Sequence, residues 1–537
     1  MQRIILIHRV YDSVEGDVGF TWLIHRAKIR DMPTENNVTQ KDAPYASALE
    51  RYADAGPQSL MVPGHGCAPD GGGAHLARIF GERAVRLDVP LMLDGIDLGP
   101  GSPLAQSLEL AAEAWGARRT WFLTNGASQG NRTAAFAVRG LGERVLMQRS
   151  SHSSFTDGVL LAGLIPAFVA PNVDHNHGIA HGLTPEALED ALATEADAGR
   201  AVQSVYVVSP SYFGSTADVA GLARVAHGYG AALIVDGAWG AHFGFHEDLP
   251  ESPVRLGADL VISSTHKLAG SFTQSAMLHL GETEFADRLE TLVNRSYTMT
   301  ASTSASALLM GSLDAGRHAL MNGKEQIGVS IKLAEEMRER LRASEDFSVI
   351  SDDFGDYPDI VSVDPLRIPI DVSRLGRSGH WVRDRLISEF GVYFEMSTAT
   401  TIVAVIGALA TPDLDRVMAG LEAVAAEAHE GNGGPSELVA FPELPEAGML
   451  RMLPRAAFFA ESIVVTAHQA IGQISADTLA AYPPGIPNLV PGEEITEETV
   501  TFLQAVAASP TGYVRGAVDP LVATFRVVRD PLTASAN

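Results

Sequence analysis

Residues 231–267 read AALIVDGAWGAHFGFHEDLPESPVRLGADLVISSTHK, and the two apolar runs in this stretch decide the fold. AALIVDGAW (231–239) and ADLVISSTHK (258–267) each start as an apolar, β-branched run and end in small and polar residues. That composition and length fit strands buried on both faces. Asp236 and Lys267 each close one of these predicted strands, with a helix-sized connection between them. Working outward, TWFLTNG (120–126), RVLMQRSSHSS (144–154) and SVYVVSPSY (204–212) repeat the pattern. Helical stretches are predicted at Tyr45–Ala55, Pro185–Ala198 and Val219–Tyr229. Buried strands alternating with helices predict an α/β fold with a mainly parallel sheet and right-handed crossovers. Ligands in such sheets bind beyond the carboxyl ends of the strands. The polar clusters of this sequence fall at those ends.

A carboxylate and an amine at neighbouring strand ends suit a pyridoxal-5′-phosphate (PLP) site. There the lysine carries the cofactor as a Schiff base, and the acid keeps the pyridine nitrogen protonated so that the ring accepts electrons. A structural ion pair, or an aspartate capping the next helix, is the plain alternative for two such residues alone. The neighbours shift that balance. NGASQGN (125–131) lies between a strand and a helix, where small residues let backbone N–H groups converge on an anion. Ser128 and Gln129 add side-chain donors for a phosphate, although turns of this kind also serve as plain N-caps. His152 ends the next strand and can stack on the pyridine; a hydrogen-bonded surface histidine is its alternative.

The runs VVSPSYFGSTADV (207–219), IVDGAWGAHFGFHEDLP (234–250), GADLVISSTHKLAGSFTQSAMLH (257–279) and STSASALLMGSLDAGR (302–317) resemble the fold-type-I ornithine/lysine/arginine decarboxylases. So do PGHG (63–66), AQSLELAAEAWGARRTWFLTNGASQGN (105–131) and the C-terminal AFFAESIVV and YPPGIPNLVPGE. The resemblance implies a PLP-dependent-transferase major domain like that of aspartate aminotransferase, a smaller α+β domain and a C-terminal α+β domain. It implies Lys267 as the aldimine lysine, Asp236 on the pyridine nitrogen, His152 stacked on the ring and Trp239 donating to the phenolate oxygen. Ser128, Gln129, Ser264 and His266 would hold the phosphate. Thr303 and Ser304 resemble the segment that reaches the phosphate from a neighbouring subunit, so a homodimer or larger oligomer with a shared site is expected. His65 and Glu493 are the candidate substrate contacts. The short form of the family implies decarboxylation of a basic amino acid, arginine first and lysine or ornithine next. Another PLP reaction on the same fold (an aminotransferase, lyase or oxygen-using enzyme of a basic amino acid) and a non-catalytic regulatory homologue are the alternatives.

Three positions depart from the family pattern. Gly66 stands where PGHK has its lysine, Ser153 follows His152 in place of a lysine, and Gly237 follows Asp236 in place of an acid. None removes a cofactor contact; substrate and reaction type are what they bear on. His175, His177 and His181 in HNHGIAHG have spacing that could hold a metal, but no carboxylate or cysteine completes a set in the sequence, so a polar loop is expected and no metal.

Composition bounds the rest. The 537 residues carry 39 basic and 65 acidic side chains, a formal charge of −26, which disfavours nucleic acid and anionic lipid as partners. The lone Cys67 excludes an intrachain disulfide and fits a reducing cytoplasm. The apolar stretch Val159–Pro171 is too short to cross a bilayer. Residues 1–40 read as an N-terminal extension, with Met32 as a candidate natural start and a genuine N-terminal arm as the alternative. Residues 41–320 form the expected PLP-binding domain and 321–430 the small domain. Gly431–Pro435 is an expected linker, and 436–537 the C-terminal domain.

Overall fold

Seven strands make the central sheet of the computed structural model, which describes residues 38–431, 445–482, 485–509 and 512–530. They are β1 (Arg119–Leu123), β2 (Arg144–Gln148), β3 (Ile165–Val169), β4 (Ser204–Val208), β5 (Ala232–Asp236), β6 (Leu260–Ser263) and β7 (Ala276–Leu280), in the order β1-β7-β6-β5-β4-β2-β3. Neighbours run parallel except β7, which is antiparallel to both β1 and β6. The carboxyl ends of the other six strands therefore share one edge. Register sets Val208 opposite Asp236 and Asp236 opposite Ile262.

Both faces of this sheet are covered, which is why β5 is buried along its whole length and apolar without alternation. Helices α3 (Gly126–Arg139), α4 (Ser153–Ala162) and α7 (Ala286–Thr300) pack Ala134, Val138, Phe155, Val159 and Leu289 against one face. Helices α5 (Pro185–Asp197) and α6 (Val219–Gly228) pack Leu188, Leu192 and Leu222 against the other. Helix α1 (Pro44–Ala55) buries Tyr45, Ala48 and Leu49, and α2 (Pro103–Trp115) lies beside it. The α1 amino end is fixed by Asp314 of α8 (Ala307–Asn322), whose Oδ2 accepts from the N–H groups of Tyr45 and Ala46. An anion there is favoured by the helix dipole.

The expected helices thus appear within a residue or two. One expectation differs. The Asp236–Lys267 connection holds turns, with no helix over residues 237–259; Phe243, Leu249 and Val254 are buried without helical spacing, and glycines and prolines interrupt any helical run. The apolar stretch Val159–Pro171 divides into the end of α4 and strand β3, broken at Gly163, which takes a left-handed φ of 67°.

The small domain has the strand order β8-β9-β11-β10, made of Ser348–Val349, Arg367–Asp371, Met396–Ser397 and Thr401–Val405 numbered β8 to β11 in chain order. Helices α9 (Lys324–Arg342) and α10 (Leu414–His429) pack on it. The C-terminal unit has a three-stranded sheet of Leu479–Tyr482, Ile486–Leu489 and Tyr513–Arg515, a two-stranded sheet of Ser462–Thr466 and Thr524–Val528, and helix α11 (Glu497–Ala508). It docks on the major domain beside α4. Ser153 N–H donates to Gly485 O, and Arg149 donates to the carbonyls of Pro487 and Asn488. Among the described residues no helix is long and apolar enough to cross a membrane. Residues 1–31, the candidate start Met32 and the expected linker from residue 432 onward lie outside the described residues.

Candidate active site

A cavity of about 1040 Å³ opens at the shared strand edge. The turns after β1, β2, β4, β5 and β6 form its floor. Residues 395–400 of the small domain and residues such as Phe502 and Asn488 of the C-terminal unit form its walls.

Asp236 is 4% exposed and faces this space. Its Oδ2 accepts from the Tyr206 hydroxyl at 2.7 Å and Asn131 Nδ2 at 3.0 Å, and its Oδ1 accepts from Ala238 N–H at 3.1 Å. No cationic side chain among the described residues forms an ion pair with it. Tyr206 is fully buried and stacked on Phe155 with ring centroids 3.6 Å apart. Burial, then the Asp236 charge, holds its phenol well above the ordinary range, so it remains a neutral donor.

Lys267 lies in a short helical turn, Thr265–Leu268, directly after β6. Its Nζ is 3.7 Å from the centre of the Trp239 ring and has no hydrogen-bond or ion-pair partner among the described residues. Burial lowers its pKa to about 8; Asp236 opposes that shift and the Arg367 charge adds to it. A buried amine with its pKa lowered this far has a much larger neutral, nucleophilic fraction near physiological pH than an exposed lysine.

Of the residues expected to hold a phosphate, Ser128, Ser264 and His266 line the cavity and Gln129 does not. Gly126, Ala127 and Ser128, the first residues of α3, line the cavity, so the unpaired N–H groups of a helix start face it. Gly126 has φ +75°, and a Cβ there would lie 3.4 Å from Gln274 O, so glycine is needed for the turn. Gln129 does not line the cavity. Its Oε1 accepts from Asn125 N–H, which fixes the turn from behind. Ser264 and His266 line the opposite rim, and burial, with Lys267 adding, keeps His266 below its usual pKa.

His152 caps α4: its Nδ1 accepts from Ser154 N–H and pairs with Ser154 Oγ at 2.8 Å, and the ring lines the cavity. Burial lowers its pKa against the pull of Asp236. Trp239 lines the cavity too, and its indole N–H has no acceptor among the described residues.

Four predicted residues lie elsewhere in the single chain. His65 pairs with Asp88 at 3.2 Å and accepts from Cys67 N–H, outside the cavity. Thr303 and Ser304 are exposed and do not line it. Glu493 is 1% exposed, but its Oε2 accepts from Arg149 at 3.0 Å and from Val490 N–H at 2.9 Å, and it does not reach the cavity. The expected cationic contact is thus internally neutralised. His175, His177 and His181 do line the cavity, engaged separately: His177 Nδ1 lies 2.6 Å from Asp174, and His181 Nδ1 lies 3.1 Å from Ser215 Oγ.

Sequence reading missed Asn131 and Tyr206. Asn131 stands at the end of the NGASQGN motif, and Tyr206 is the one aromatic residue of SVYVV. A neutral donor inside an otherwise apolar buried strand was the signal available. As a set, an unpaired amine, a carboxylate without a cation, a helix amino end and a free indole N–H fit the groups of a PLP-type cofactor.

Comparison with known proteins agrees. The family model described as Orn/Lys/Arg decarboxylase, major domain, matches residues 43–383, and the model of that family's C-terminal domain matches 440–512. An arginine decarboxylase of Bacillus subtilis is 33% identical over 92% of this chain and 99% of its own length. One from Halalkalibacterium halodurans is 32% identical over 91% and 98%. In structure, lysine decarboxylase A of Pseudomonas aeruginosa superposes with a TM-score of 0.76 at 20% identity, covering 95% of this chain and 82% of that one. Its likeness supports the fold-type-I architecture. Matched in both its major and C-terminal parts, the chain belongs to the Orn/Lys/Arg decarboxylase family.

Proposed function

We propose that this chain decarboxylates a basic amino acid with PLP, arginine first and lysine or ornithine next, releasing the amine and CO2. One observation carries the reading: the unpartnered Lys267 amine, near pKa 8, faces the same cavity as the locked Asp236 carboxylate. The names of the full-length relatives put arginine first.

When bound, PLP supplies the electron sink for the pair left behind as the Cα–carboxylate bond breaks. Lys267 is the attachment point. Asp236 holds a proton on the pyridine nitrogen, and Tyr206 and Asn131 keep its carboxylate aimed. His152 would stack on the ring of the bound cofactor, and Trp239 would donate its indole N–H to the phenolate oxygen. Ser128, Ser264 and His266 hold the phosphate with the α3 amino end, while Gln129 fixes the turn. Lys267 or His152 returns a proton to Cα after CO2 departs. Walls from three parts of the chain surround these groups and limit their solvation, which strengthens each of these electrostatic contacts.

The same reading includes a homodimer at minimum, in which Thr303 and Ser304 reach the partner's phosphate. Their exposure supports it, as do the exposed apolar residues Leu60, Val62, Ile79, Phe80 and Met92 of one chain segment. A cytoplasmic enzyme is the compartment that fits a lone Cys67.

The test is CO2 release by the PLP-loaded protein from arginine, lysine and ornithine, with Lys267→Ala as control. Equal amounts of CO2 and amine from one of them support the reading. A keto acid without CO2, or no product from any, overturns it.

A further inference from the structure

A basic amino acid brings a guanidinium or ammonium into this cavity, and a cation that loses part of its hydration there is favoured by a carboxylate. The cavity is lined by only two acidic side chains among the described residues, Asp236 and Glu395. Asp236 is committed to the cofactor end, where Tyr206, Asn131 and the Ala238 N–H hold its carboxylate. Glu493, the acid expected from sequence, is neutralised by Arg149 and faces away.

We propose that Glu395 is the residue that receives the cationic end of the substrate side chain and so sets the preference for basic amino acids. This rests on the decarboxylase reading above. Glu395 immediately precedes β10 in the small domain, and its N–H donates to Val403 O, which pins the backbone. Glu395 is exposed at the cavity rim; its Oε1 accepts from the Tyr212 hydroxyl at 3.0 Å, while Oε2 has no hydrogen-bond partner among the described residues. The Tyr212 ring packs edge-on against Trp239 with centroids 4.7 Å apart, and Trp239 in turn lies 3.7 Å from Lys267 Nζ. A continuous wall thus runs from the reacting amine to the free oxygen of Glu395. The substrate's α-amine takes up the place of the Lys267 amine, and its side chain extends along that aromatic wall, whose faces suit a methylene stem and a planar cation. The placement gives one acid a single hydroxyl tether and an oxygen left over for a charge-assisted bond.

The experiment compares arginine with citrulline, its neutral isostere, on the PLP-loaded wild type, Glu395→Gln, Glu395→Asp and Tyr212→Phe. Glu395→Gln keeps the wild-type cofactor absorbance, raises KM for arginine by about ten- to a hundredfold and leaves citrulline unchanged, so the preference between the two collapses. Glu395→Asp recovers part of it. Tyr212→Phe, which removes the hydroxyl tether and keeps the ring, raises KM for arginine by about two- to tenfold. If the wild type releases CO2 from arginine and both Glu395→Gln and Tyr212→Phe keep its KM within twofold, the Glu395 assignment alone falls. A loss confined to kcat also overturns it, since that would mark an effect on Lys267 and not on the substrate. No CO2 from wild type with any basic amino acid removes the decarboxylase reading, and this inference with it.

Discussion

Lys267 Nζ lies 3.7 Å from the centre of the Trp239 ring, and the guanidinium carbon of Arg367 lies 3.8 Å from the same centre. Atoms rest about 3.5 Å from an aromatic plane, so two groups this near one centroid on one face would overlap. They therefore flank the indole from opposite sides. Trp239 is held as a slab between two cations, one facing the cavity and one fully buried behind it. That arrangement fixes the orientation of its N–H and places a second positive charge near the reacting amine.

The neutral form of Lys267 captures the cofactor, so capture follows the titration of that amine. With the pKa lowered to about 8, the protonated fraction falls as pH rises through 8. Mixing apoprotein with PLP and following absorbance between pH 6 and 9.5 is expected to show a rate that climbs about tenfold per pH unit at the acid end and levels off above about 8.5. A climb continuing undiminished to pH 9.5 would mean that burial does not depress this amine.

Arg367 sharpens that measurement. Its Nε and both Nη atoms are buried without hydrogen-bond partners, and burial lowers its pKa to about 10. An unpaired buried guanidinium is costly, so Arg367→Met is expected to leave thermal stability equal or higher. Because the Arg367 charge helps to depress Lys267, the variant's capture profile should move to higher pH. Loss of stability together with an unmoved profile would assign Arg367 a purely structural role.

How far the sequence carried this reading varies with distance along the chain. Asp236 and Lys267 were legible because Asp236 ends an apolar run and Lys267 follows one within four residues, and a position at or just past a strand end is a local property. Strand β3 was not, since IPAFV contains Pro166 and merges into the apolar end of α4, where periodicity cannot separate helix from strand. The five-residue β7 carries a buried His279, paired with Thr120, and lacked a pattern of its own. Glu493 shows the sharper limit. The PGEE motif marks a turn, but the acid's use depends on Arg149, which is distant in sequence and adjacent only in the fold.

Asp236 and its support are separable by mutation. Asp236→Asn removes the charge that holds the pyridine proton, so kcat is expected to drop by about a hundredfold or more while PLP remains bound. Tyr206→Phe deletes one buried donor at 2.7 Å but keeps the stack on Phe155. It should reduce kcat less, and stability by about 1 kcal/mol. Steady-state kinetics with cofactor absorbance, and urea unfolding for stability, read these effects. Near-normal turnover in Asp236→Asn with PLP bound would reassign the acid.

The contact between Arg149 and Glu493 ties the C-terminal unit to the major domain through a carboxylate that is 1% exposed. Burial raises the Glu493 pKa, and Arg149 and the Val490 N–H hold it back. In Arg149→Ala the charge is left uncompensated, and the expected loss at pH 8 is about 3 kcal/mol. The sign with pH follows from the raised pKa. As pH falls, the folded variant takes up a proton on Glu493 before the unfolded chain does, so protonation favours the folded state and the deficit shrinks. Unfolding measured at pH 8 and pH 5.5 should therefore show a smaller difference from wild type at the lower pH. The double variant Arg149→Ala with Glu493→Gln should recover most of the loss at pH 8, because no buried charge remains. An equal deficit at both pH values would place the stabilisation in Arg149's bonds to the Pro487 and Asn488 carbonyls instead.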